Sequence, residues 1–401
     1  MNILINSLNI LEIILIVFTG FATLYILFFS TSGLFYKEKK LSLASKNRKF
    51  AVLIPGYKED EVILEVAADA LKQNYPSDYF DVVIIADSFS PETIQRLSVM
   101  PLKVIEVKFD KSTKAKALNK AMSILPDDYD IALVLDADNL MERDFLLKMN
   151  NAFEKNFFVI QGHRTAKNTN TNLAMLDAIS EEINNHLFRK GHRAVGLSSA
   201  IIGSGMAFDY QYFKNMMLEV KAIGGFDKEI ELKMLKAGLK VDYLENAYVY
   251  DEKVQDSEAF SIQRRRWLSA QFHYFFQDIG SATKDLFFKG NVDYFVKAIQ
   301  FIQPPRILLL GLVCVEAPLF IIVNKLIGLN RSLSEIWLIV FVSCIISFLF
   351  SVPIKFYNKK TAKAILDLPK GMLLMLVSLL KIKGANKQFL HTPHGTVETE
   401  K

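Results

Sequence analysis

The sequence predicts an α/β domain with a mostly parallel sheet, flanked by helices that cross a membrane. Two patterns support this fold class. Between residues 49 and 277, short apolar runs alternate with stretches of helical periodicity, as expected for a sheet that is covered by helices. Outside this region lie three longer apolar stretches, and each is close to the roughly 20 residues with which a helix spans a bilayer.

The predicted strands are apolar along most of their length, which is typical of strands that are buried on both faces. They are residues 50–54, 81–85, 103–107, 131–135 and 157–162. Helical periodicity fills the intervals, for example over residues 61–73 and 114–125. Ligands of such sheets bind beyond the carboxyl ends of the strands, so we expect functional residues directly after these runs.

The first predicted membrane helix covers residues 8–29 and contains a single charged residue, Glu12. It lacks the basic leader and the small-residue cleavage site of a signal peptide. Six basic residues follow it between positions 37 and 49. Because positive charge is enriched on the cytoplasmic side of membrane helices, the amino terminus is expected outside and the α/β domain in the cytoplasm.

Two further spans are predicted at residues 307–323 and 337–354, joined by a polar turn at 330–335 that would lie outside the cell. A fourth apolar stretch, 365–380, is interrupted by Pro369 and Gly371 and either spans the bilayer or lies in its interface. The expected organisation has five parts. They are an amino-terminal membrane helix (1–36), a cytoplasmic domain (49–277), an interfacial segment (278–306), a carboxyl-terminal membrane region (307–383) and a cytoplasmic or disordered tail (384–401).

The composition agrees with one soluble domain plus membrane segments. The chain has 401 residues, of which 51% are hydrophobic, too few for two full-sized soluble domains together with the spans. Its formal charge of +5 is modest and its basic residues form no stripe. This argues against a nucleic-acid partner and favours an anionic membrane face or a phosphorylated substrate. Cys314 and Cys344 lie inside apolar runs without metal-ligand spacing.

Polar residues follow three of the predicted strands. They are residues 55–59 after the first run, Asp87 after the second, and Asp136-Ala137-Asp138 after the fourth. Two carboxylates at a strand end can hold Mg²⁺ or Mn²⁺, because these ions take oxygen ligands and are commonly shared between carboxylates and substrate phosphates. The pattern predicts such a metal site, with a turn or a helix N-cap as the alternative reading of the two aspartates.

An ordered series of motifs carries a family resemblance. Its members are residues 55–59, Asp87, 114–119, 136–138, 224–232 and 263–267. Together they resemble the inverting family 2 glycosyltransferases, in particular the membrane-bound branch that includes cellulose, chitin and hyaluronan synthases and ceramide glucosyltransferases. The likeness covers residues 50–276. It implies a GT-A-like nucleotide-sugar-binding domain with a Mg²⁺ or Mn²⁺ cofactor.

The resemblance also implies roles for individual residues. Donor-binding positions match Pro55, Tyr57, Glu59, Asp87, Lys114, Asp136, Gln263 and Trp267. Asp138 would hold the metal together with Asp136, and Arg266 would stabilise the departing diphosphate. Arg264 and Arg265 are expected to meet lipid headgroups or solvent instead. Two alternatives stay open: Lys114 could lie on a solvated helix face, and Trp267 could be an interfacial anchor.

The chain departs from the family at the expected general base. The family usually carries Glu-Asp before x-Glu-Leu, with the aspartate as the base, whereas this chain has Lys228-Glu229 before Ile230-Glu231-Leu232. Glu229 then occupies the position of the base, with one additional methylene. Asp227 is close enough in sequence to be the alternative.

The implied reaction transfers a sugar from a nucleotide-sugar, with UDP as the expected nucleotide, to a membrane-associated lipid or glycan. The expected partners are therefore this donor, this acceptor and membrane lipids, with a second copy of the chain as a further option and no nucleic acid. The expected location is the cell membrane, with several spans. Two other functions stay open: a processive polysaccharide synthase, and a nucleotide-sugar-binding pseudoenzyme suggested by the Lys228-Glu229 departure.

Overall fold

The computed structural model of the chain describes residues 2–155, 157–327 and 331–382, and its centre is an eight-stranded mixed sheet. The strands are β1 (Phe50–Tyr57), β2 (Phe80–Asp87), β3 (Lys103–Val107), β4 (Ile131–Val134), β5 (Leu140–Met141), β6 (Val159–Ala166), β7 (Met206–Asp209) and β8 (Val241–Asp251). Their order across the sheet is β3-β2-β1-β4-β7-β6-β8-β5.

Parallel pairing dominates the sheet. Strand β1 pairs in parallel with β2 and β4, β2 with β3, and β6 with β8. Strand β7 runs antiparallel between β4 and β6, and the short β5 is antiparallel to β8. The predicted α/β class with a mostly parallel sheet is confirmed. The parallel register places Tyr57 opposite Asp87, so the ends of β1 and β2 meet at one edge.

Helices cover both faces of the sheet. They are α2 (Ile63–Ala70), α3 (Pro91–Ser98), α4 (Lys114–Ile124), α5 (Phe145–Phe153), α6 (Asn172–Asn184), α7 (His192–Ala194), α8 (Tyr210–Met217) and α9 (Phe226–Lys236). A π-helical segment, Asn185–Gly191, joins α6 to α7. Side chains of a strand alternate between two buried clusters: Ala51 and Leu53 belong to one, and Val52 and Ile54 to the other. This alternation explains why the strand sequences are continuously apolar.

The carboxyl-terminal half of the chain is helical. It contains α10 (Ser257–Lys289), α11 (Val292–Ile302), α12 (Arg306–Ile327), α13 (Arg331–Ser351), α14 (Lys359–Ile365) and α15 (Leu368–Leu380), and the first helix of the chain is α1 (Asn2–Leu34). The segment expected at 278–306 thus consists of the end of α10 and the whole of α11. Tyr294 and Phe301 of α11 pack against Leu232 and Leu235 of α9. A buried ion pair joins Lys297 to Glu231 at 2.7 Å.

Within the described residues, three helices are long and apolar enough to cross a membrane: Asn6–Leu34, Arg306–Leu326 and Arg331–Ser351. The predicted start of the third span was wrong, because α13 begins at Arg331 and includes most of the expected polar turn. An ion pair between Arg331 and Glu335, at 3.3 Å and one helical turn apart, supports this first turn. The helix ends at Ser351, two residues before Pro353.

The weaker apolar stretch at 365–380 is divided. It comprises the last residue of α14 and the 13-residue helix α15, separated around Asp367. At about 1.5 Å per residue, α15 is about 20 Å long, which is shorter than the hydrocarbon core of a bilayer. Met375 of α15 packs with Phe260 and Leu268 of α10. The tail expected at 384–401 lies outside the described residues.

A polar cluster links the three candidate spans. Glu12 of α1 is fully buried. Its Oε1 accepts hydrogen bonds from Asn324 Nδ2 of α12 at 2.8 Å and from Trp337 Nε1 of α13 at 3.0 Å. Polar side chains inside a helix bundle are stabilised when they bond across helices. Glu12 therefore fixes how α1 is rotated against α12 and α13.

The first helix also docks directly on the α/β domain. Ser30 O of α1 accepts a hydrogen bond from His186 at 2.7 Å, and Phe29 packs on the ring of His192 at 4.3 Å between ring centres. Gly191 lies so close to Phe29 that an added Cβ would overlap the Phe29 carbonyl. The missing side chain at Gly191 is what permits this contact.

We expect Gly191→Ala to destabilise the protein, because the added methyl group must push α1 away from the domain. Overpacking of this kind costs about 1–3 kcal/mol. The matched control is Gly280→Ala in α10, where an added Cβ has no neighbour within 4 Å and a helical alanine is favoured by up to about 1 kcal/mol. Thermal unfolding of both variants in one detergent tests this. Equal unfolding temperatures for the two variants would contradict it.

Candidate active site

A cavity of about 490 Å³ opens at the carboxyl ends of β1, β2 and β4 and extends to helices α1, α12 and α15. Eleven of the twelve site residues predicted from the sequence line it. They are Pro55, Tyr57, Glu59, Asp87, Lys114, Asp136, Asp138, Asp227, Gln263, Arg266 and Trp267. The exception is Glu229. Residues drawn from all six motifs are therefore gathered in one place, as the strand-end argument predicts for those that follow β1, β2 and β4.

Three carboxylates converge at the end of β4. Asp136, Asp138 and Asp251 each have an oxygen within 4.8 Å of the others. Asn139 Nδ2 donates to Asp138 Oδ1 at 3.1 Å and to Asp251 Oδ1 at 3.0 Å, which fixes two of the three groups. An all-oxygen set of this kind fits the ligand preference of Mg²⁺ or Mn²⁺.

Asp251 is a residue that the predicted site did not include. It is the last residue of β8, so it obeys the same strand-end rule as Asp136 and Asp138. The signal was present in the sequence, since Asp251 closes a run rich in β-branched and aromatic residues at 241–250. The predicted strands stopped at residue 162, and this last strand was overlooked.

Lys114 points into the cavity and does not lie on a solvated helix face. It is the first residue of α4, whose N-cap is Thr113. Its Nζ donates a short hydrogen bond to Asp136 Oδ1 and a second one to Gly203 O at 2.7 Å. The ammonium group also lies 4.9 Å from the ring centre of Phe226. It thus brings a positive charge next to the carboxylate cluster.

The ends of β1 and β2 form a strained corner of the cavity. Lys58 and Ser88, which directly follow these strands, have φ angles of 56° and 60°. Residues with side chains rarely adopt this left-handed conformation, and the strain is found mostly at functional sites. The backbone N–H of Lys58 donates to Asp87 O at 3.1 Å, and the hydroxyl of Ser88 donates to Asp87 Oδ1 at 3.0 Å. The first bond ties the ends of β1 and β2 together, and the second orients the buried Asp87 carboxylate.

The two candidate bases, Asp227 and Glu229, lie in different surroundings. Both lie in the first turn of α9, which begins after Gly225, a glycine with φ of 68°. Positions two apart on a helix point about 200° apart, so one side of the helix cannot present both. Asp227 lines the cavity beside Gly203. Glu229 instead accepts from the backbone N–H of Lys221 at 3.4 Å and pairs with Lys233 at 3.7 Å.

Helix α10 carries the motif at 263–267. Gln263, Arg266 and Trp267 are spaced i, i+3 and i+4, which places them on one helical face, and all three line the cavity. Burial lowers the pKa of Arg266, while the nearby charges of Asp136 and Asp227 act in the opposite direction. Arg266 is therefore close enough to both carboxylates to share their electrostatic field.

The expectation that Arg264 meets headgroups or solvent was wrong. Arg264 is buried and forms a short ion pair with Asp177 of α6. Its guanidinium group lies between the rings of Phe260 and Trp267, at 4.7 and 4.4 Å from their centres. A planar guanidinium stacks well on aromatic faces. Arg264 therefore anchors α10 to α6, and Trp267 is part of that packing as well as of the cavity wall.

A buried ion network lies behind the carboxylates. Glu181 of α6 pairs with Arg164 at 2.7 Å, Arg189 at 3.6 Å and Lys253 at 3.7 Å, and Lys253 also pairs with Asp251 at 2.7 Å. Burial alone would raise the pKa of Glu181, but the three cations together lower it, so the carboxylate stays ionised. No local sequence pattern marks these residues, because their partners come from distant elements.

Comparison with known proteins agrees with this geometry. Residues 47–270 match the sequence model of the family described as "Glycosyltransferase like family 2". Among curated proteins, the poly(ribitol-phosphate) β-N-acetylglucosaminyltransferase TarS of two Staphylococcus aureus strains is 26% identical over 102 residues. That match covers 24% of this chain and 18% of TarS, so the chain spans less than a fifth of the relatives' length.

A solved structure shares the fold. The mannosyltransferase PcManGT from Pyrobaculum calidifontis, determined in complex with GDP-Man and Mn²⁺, superposes with a TM-score of 0.52 at 15% identity. The likeness covers 84% of this chain and 97% of PcManGT, and it supports the predicted GT-A-like fold. The family model spans more than half of the 401 residues, and this chain belongs to the glycosyltransferase-like family 2.

Proposed function

We propose that this protein is a metal-dependent, inverting glycosyltransferase of the membrane-bound branch. It would transfer a sugar from a nucleotide-sugar, with UDP as the expected nucleotide, to a lipid or glycan acceptor at the membrane. The observation that carries the proposal is that one cavity is lined both by the Asp136–Asp138–Asp251 cluster and by residues of the candidate membrane helices α1 and α12.

The donor end of the cavity has the groups that a nucleoside diphosphate requires. Asp136, Asp138 and Asp251 would hold a divalent cation, which supplies positive charge to the diphosphate of the bound donor. Lys114 and Arg266 add two protein cations beside Asp136. Such preorganised charges stabilise the leaving group where negative charge develops. We assign nucleoside contacts to the neighbouring residues Pro55, Tyr57, Glu59 and Asp87, and closure over the diphosphate and acceptor to Gln263 and Trp267.

The transfer itself is a single displacement. The acceptor hydroxyl loses its proton to a carboxylate, its oxygen bonds to the anomeric carbon, and the bond from that carbon to the diphosphate breaks. We assign the base to Asp227, because it faces the cavity while Glu229 contacts Lys221 and Lys233. Asp227 would supply a base even though the chain departs from the family at Lys228-Glu229, and this argues against the pseudoenzyme.

The acceptor would enter from the membrane side. There the cavity is lined by Ile26 of α1, Ile307 and Leu309 of α12 and Met375 of α15. A wide channel for a polysaccharide would need more wall than three candidate spans supply, which disfavours the processive alternative. We assign the domain to the cytoplasm on the basis of the basic residues that follow α1 and α13.

The metal assignment predicts that Asp138→Asn lowers the initial rate of sugar transfer by about 100-fold or more, because one ligand loses its charge. Rates with labelled nucleotide-sugars in membranes containing equal amounts of protein test this, with and without a chelator. Asp78→Asn, at an exposed position, is the matched control and should retain full activity. Transfer that is insensitive to chelator would refute the metal site.

For the base, Asp227→Asn should reduce the transfer rate by about 10²- to 10⁴-fold, the usual contribution of a general base. Donor affinity should change little, since the substitution removes a proton acceptor and almost no volume. Glu229→Gln is the control and should keep at least half of the activity. If instead the Glu229 variant is inactive and the Asp227 variant is active, Glu229 is the base and the assignment to Asp227 is wrong.

The topology can be tested by cysteine labelling in a chain whose Cys314 and Cys344 are replaced by alanine. Glu335→Cys lies at the start of α13 and Glu92→Cys in α3, and both positions are exposed. An impermeant thiol reagent added to intact cells should label position 335, and position 92 only after permeabilisation. The opposite pattern would move the catalytic domain to the outside.

A further inference from the structure

The membrane end of the cavity contains an arginine without a counter-ion. Arg306, the first residue of α12, lines the cavity and is half-buried. Its guanidinium group donates to Asn184 Oδ1 at 2.5 Å and to Ser180 O and Oγ at 3.3 Å. These partners are all neutral. Within 2–155, 157–327 and 331–382, no carboxylate forms an ion pair with Arg306.

Charges of both signs act on Arg306: Glu181 attracts it, whereas Arg264 and Arg189 repel it. The nearby carboxylates are already shared: Asp177 pairs with Arg264, and Glu181 is surrounded by three other cations. A low-dielectric site with an excess of positive charge is unfavourable unless an anion occupies it.

Buried polar atoms around this end of the cavity also lack partners. Arg189 is 1% exposed, and its Nε has no hydrogen-bond acceptor within the described part of the chain. In the same part of the chain, Gln303 Nε2 lacks an acceptor and Gln300 Oε1 lacks a donor. All three residues line the cavity. Since buried polar groups are nearly always satisfied, these atoms indicate a polar ligand.

Apolar side chains also line the cavity beside the arginines. They come from or lie against helices α1, α12 and α15, and they are Ile26, Phe188, Ile307, Leu309 and Met375. Arg306 also begins a 22-residue helix, whose N-terminal end attracts negative charge. An anion bound here would therefore lie next to an apolar space that is suited to an alkyl chain.

We propose that this end of the cavity binds the phosphate group of a membrane lipid, with Arg306 and Arg189 as its ligands and the lipid chain between α1, α12 and α15. The acceptor of the reaction is then a phosphate-bearing lipid whose reacting hydroxyl lies elsewhere on the molecule. Guanidinium groups suit this role because their planar fork binds two phosphate oxygens at once. Only the statement that this lipid is the acceptor rests on the proposed function.

The site is separate from the position proposed for the donor diphosphate. There, Lys114 and Arg266 lie beside Asp136, whereas the charges that act on Arg306 are those of Glu181, Arg264 and Arg189. The two proposed anion sites thus use different cations of one cavity, and a transfer from a soluble donor to a phosphate-bearing lipid requires two such sites.

The test measures equilibrium binding of radiolabelled oleoyl lysophosphatidic acid to the purified full chain in a neutral maltoside detergent, without any nucleotide-sugar. Unlabelled monooleoylglycerol, which lacks only the phosphate, and inorganic phosphate serve as competitors. Wild-type protein should bind the lipid phosphate, and neither competitor should displace it. Arg306→Gln should raise Kd by about 10- to 100-fold, the factor expected for losing a charge-assisted hydrogen-bonded pair.

Arg331→Gln is the matched control, because Arg331 begins the neighbouring helix α13 and its side chain is 91% exposed. It should keep Kd within about twofold. Thermal unfolding checks the fold of each variant. If Arg306→Gln lowers the unfolding temperature, the binding of Arg306→Lys is compared instead, because lysine keeps the charge without the fork. Equal losses at both arginines, or no loss at Arg306, would overturn the proposal.

Displacement by inorganic phosphate at equal concentration would identify a site for free anions and would also overturn the lipid assignment. Displacement by monooleoylglycerol would mean that the alkyl chain alone is recognised. Because the assay contains no nucleotide-sugar, a failure to bind the lipid would not contradict the proposed sugar transfer. Conversely, an absence of transfer from every nucleotide-sugar would refute the proposed function without affecting lipid binding.

Discussion

One face of helix α6 connects the sheet to helices α10 and α12. Asp177, Ser180, Glu181 and Asn184 are spaced i, i+3, i+4 and i+7, so they lie along one stripe of the helix, and all four line the cavity. Asp177 holds α10 through Arg264, and Ser180 and Asn184 hold α12 through Arg306. Glu181 holds β6 through Arg164 and the segment after β8 through Lys253.

This stripe sets the relative positions of elements that would otherwise be independent. The carboxylate cluster belongs to the sheet, the 263–267 motif to α10 and the apolar wall of the cavity to α1, α12 and α15. Buried ion pairs add little net stability, because desolvation offsets much of their attraction. Removing one partner is nevertheless costly, since it leaves an uncompensated charge. The polar stripe is therefore better understood as a means of fixing geometry than as a source of stability.

The sequence was sufficient for those parts of the site that obey local rules. Apolar runs revealed the parallel strands, and the residues after them, such as Asp87 and Asp138, line the cavity. Arg264 escaped prediction because its partner Asp177 is 87 positions away, and a charged residue beside two other arginines is ordinarily exposed. The choice between Asp227 and Glu229 depended on where α9 begins, and motif spacing does not determine that point.

The hydrogen bonds of Glu12 have a consequence for how the protein is assembled during synthesis. They come from residues 312 and 325 positions later in the chain, so a first helix that enters a membrane during synthesis would do so long before these partners are translated. A carboxylate inside a bilayer is unfavourable until it is bonded. Glu12 can therefore gain these bonds only after α12 and α13 have been made. A truncated chain ending before Asn324 would lack both bonds, which gives the cell's quality control a way to distinguish unfinished copies from complete ones.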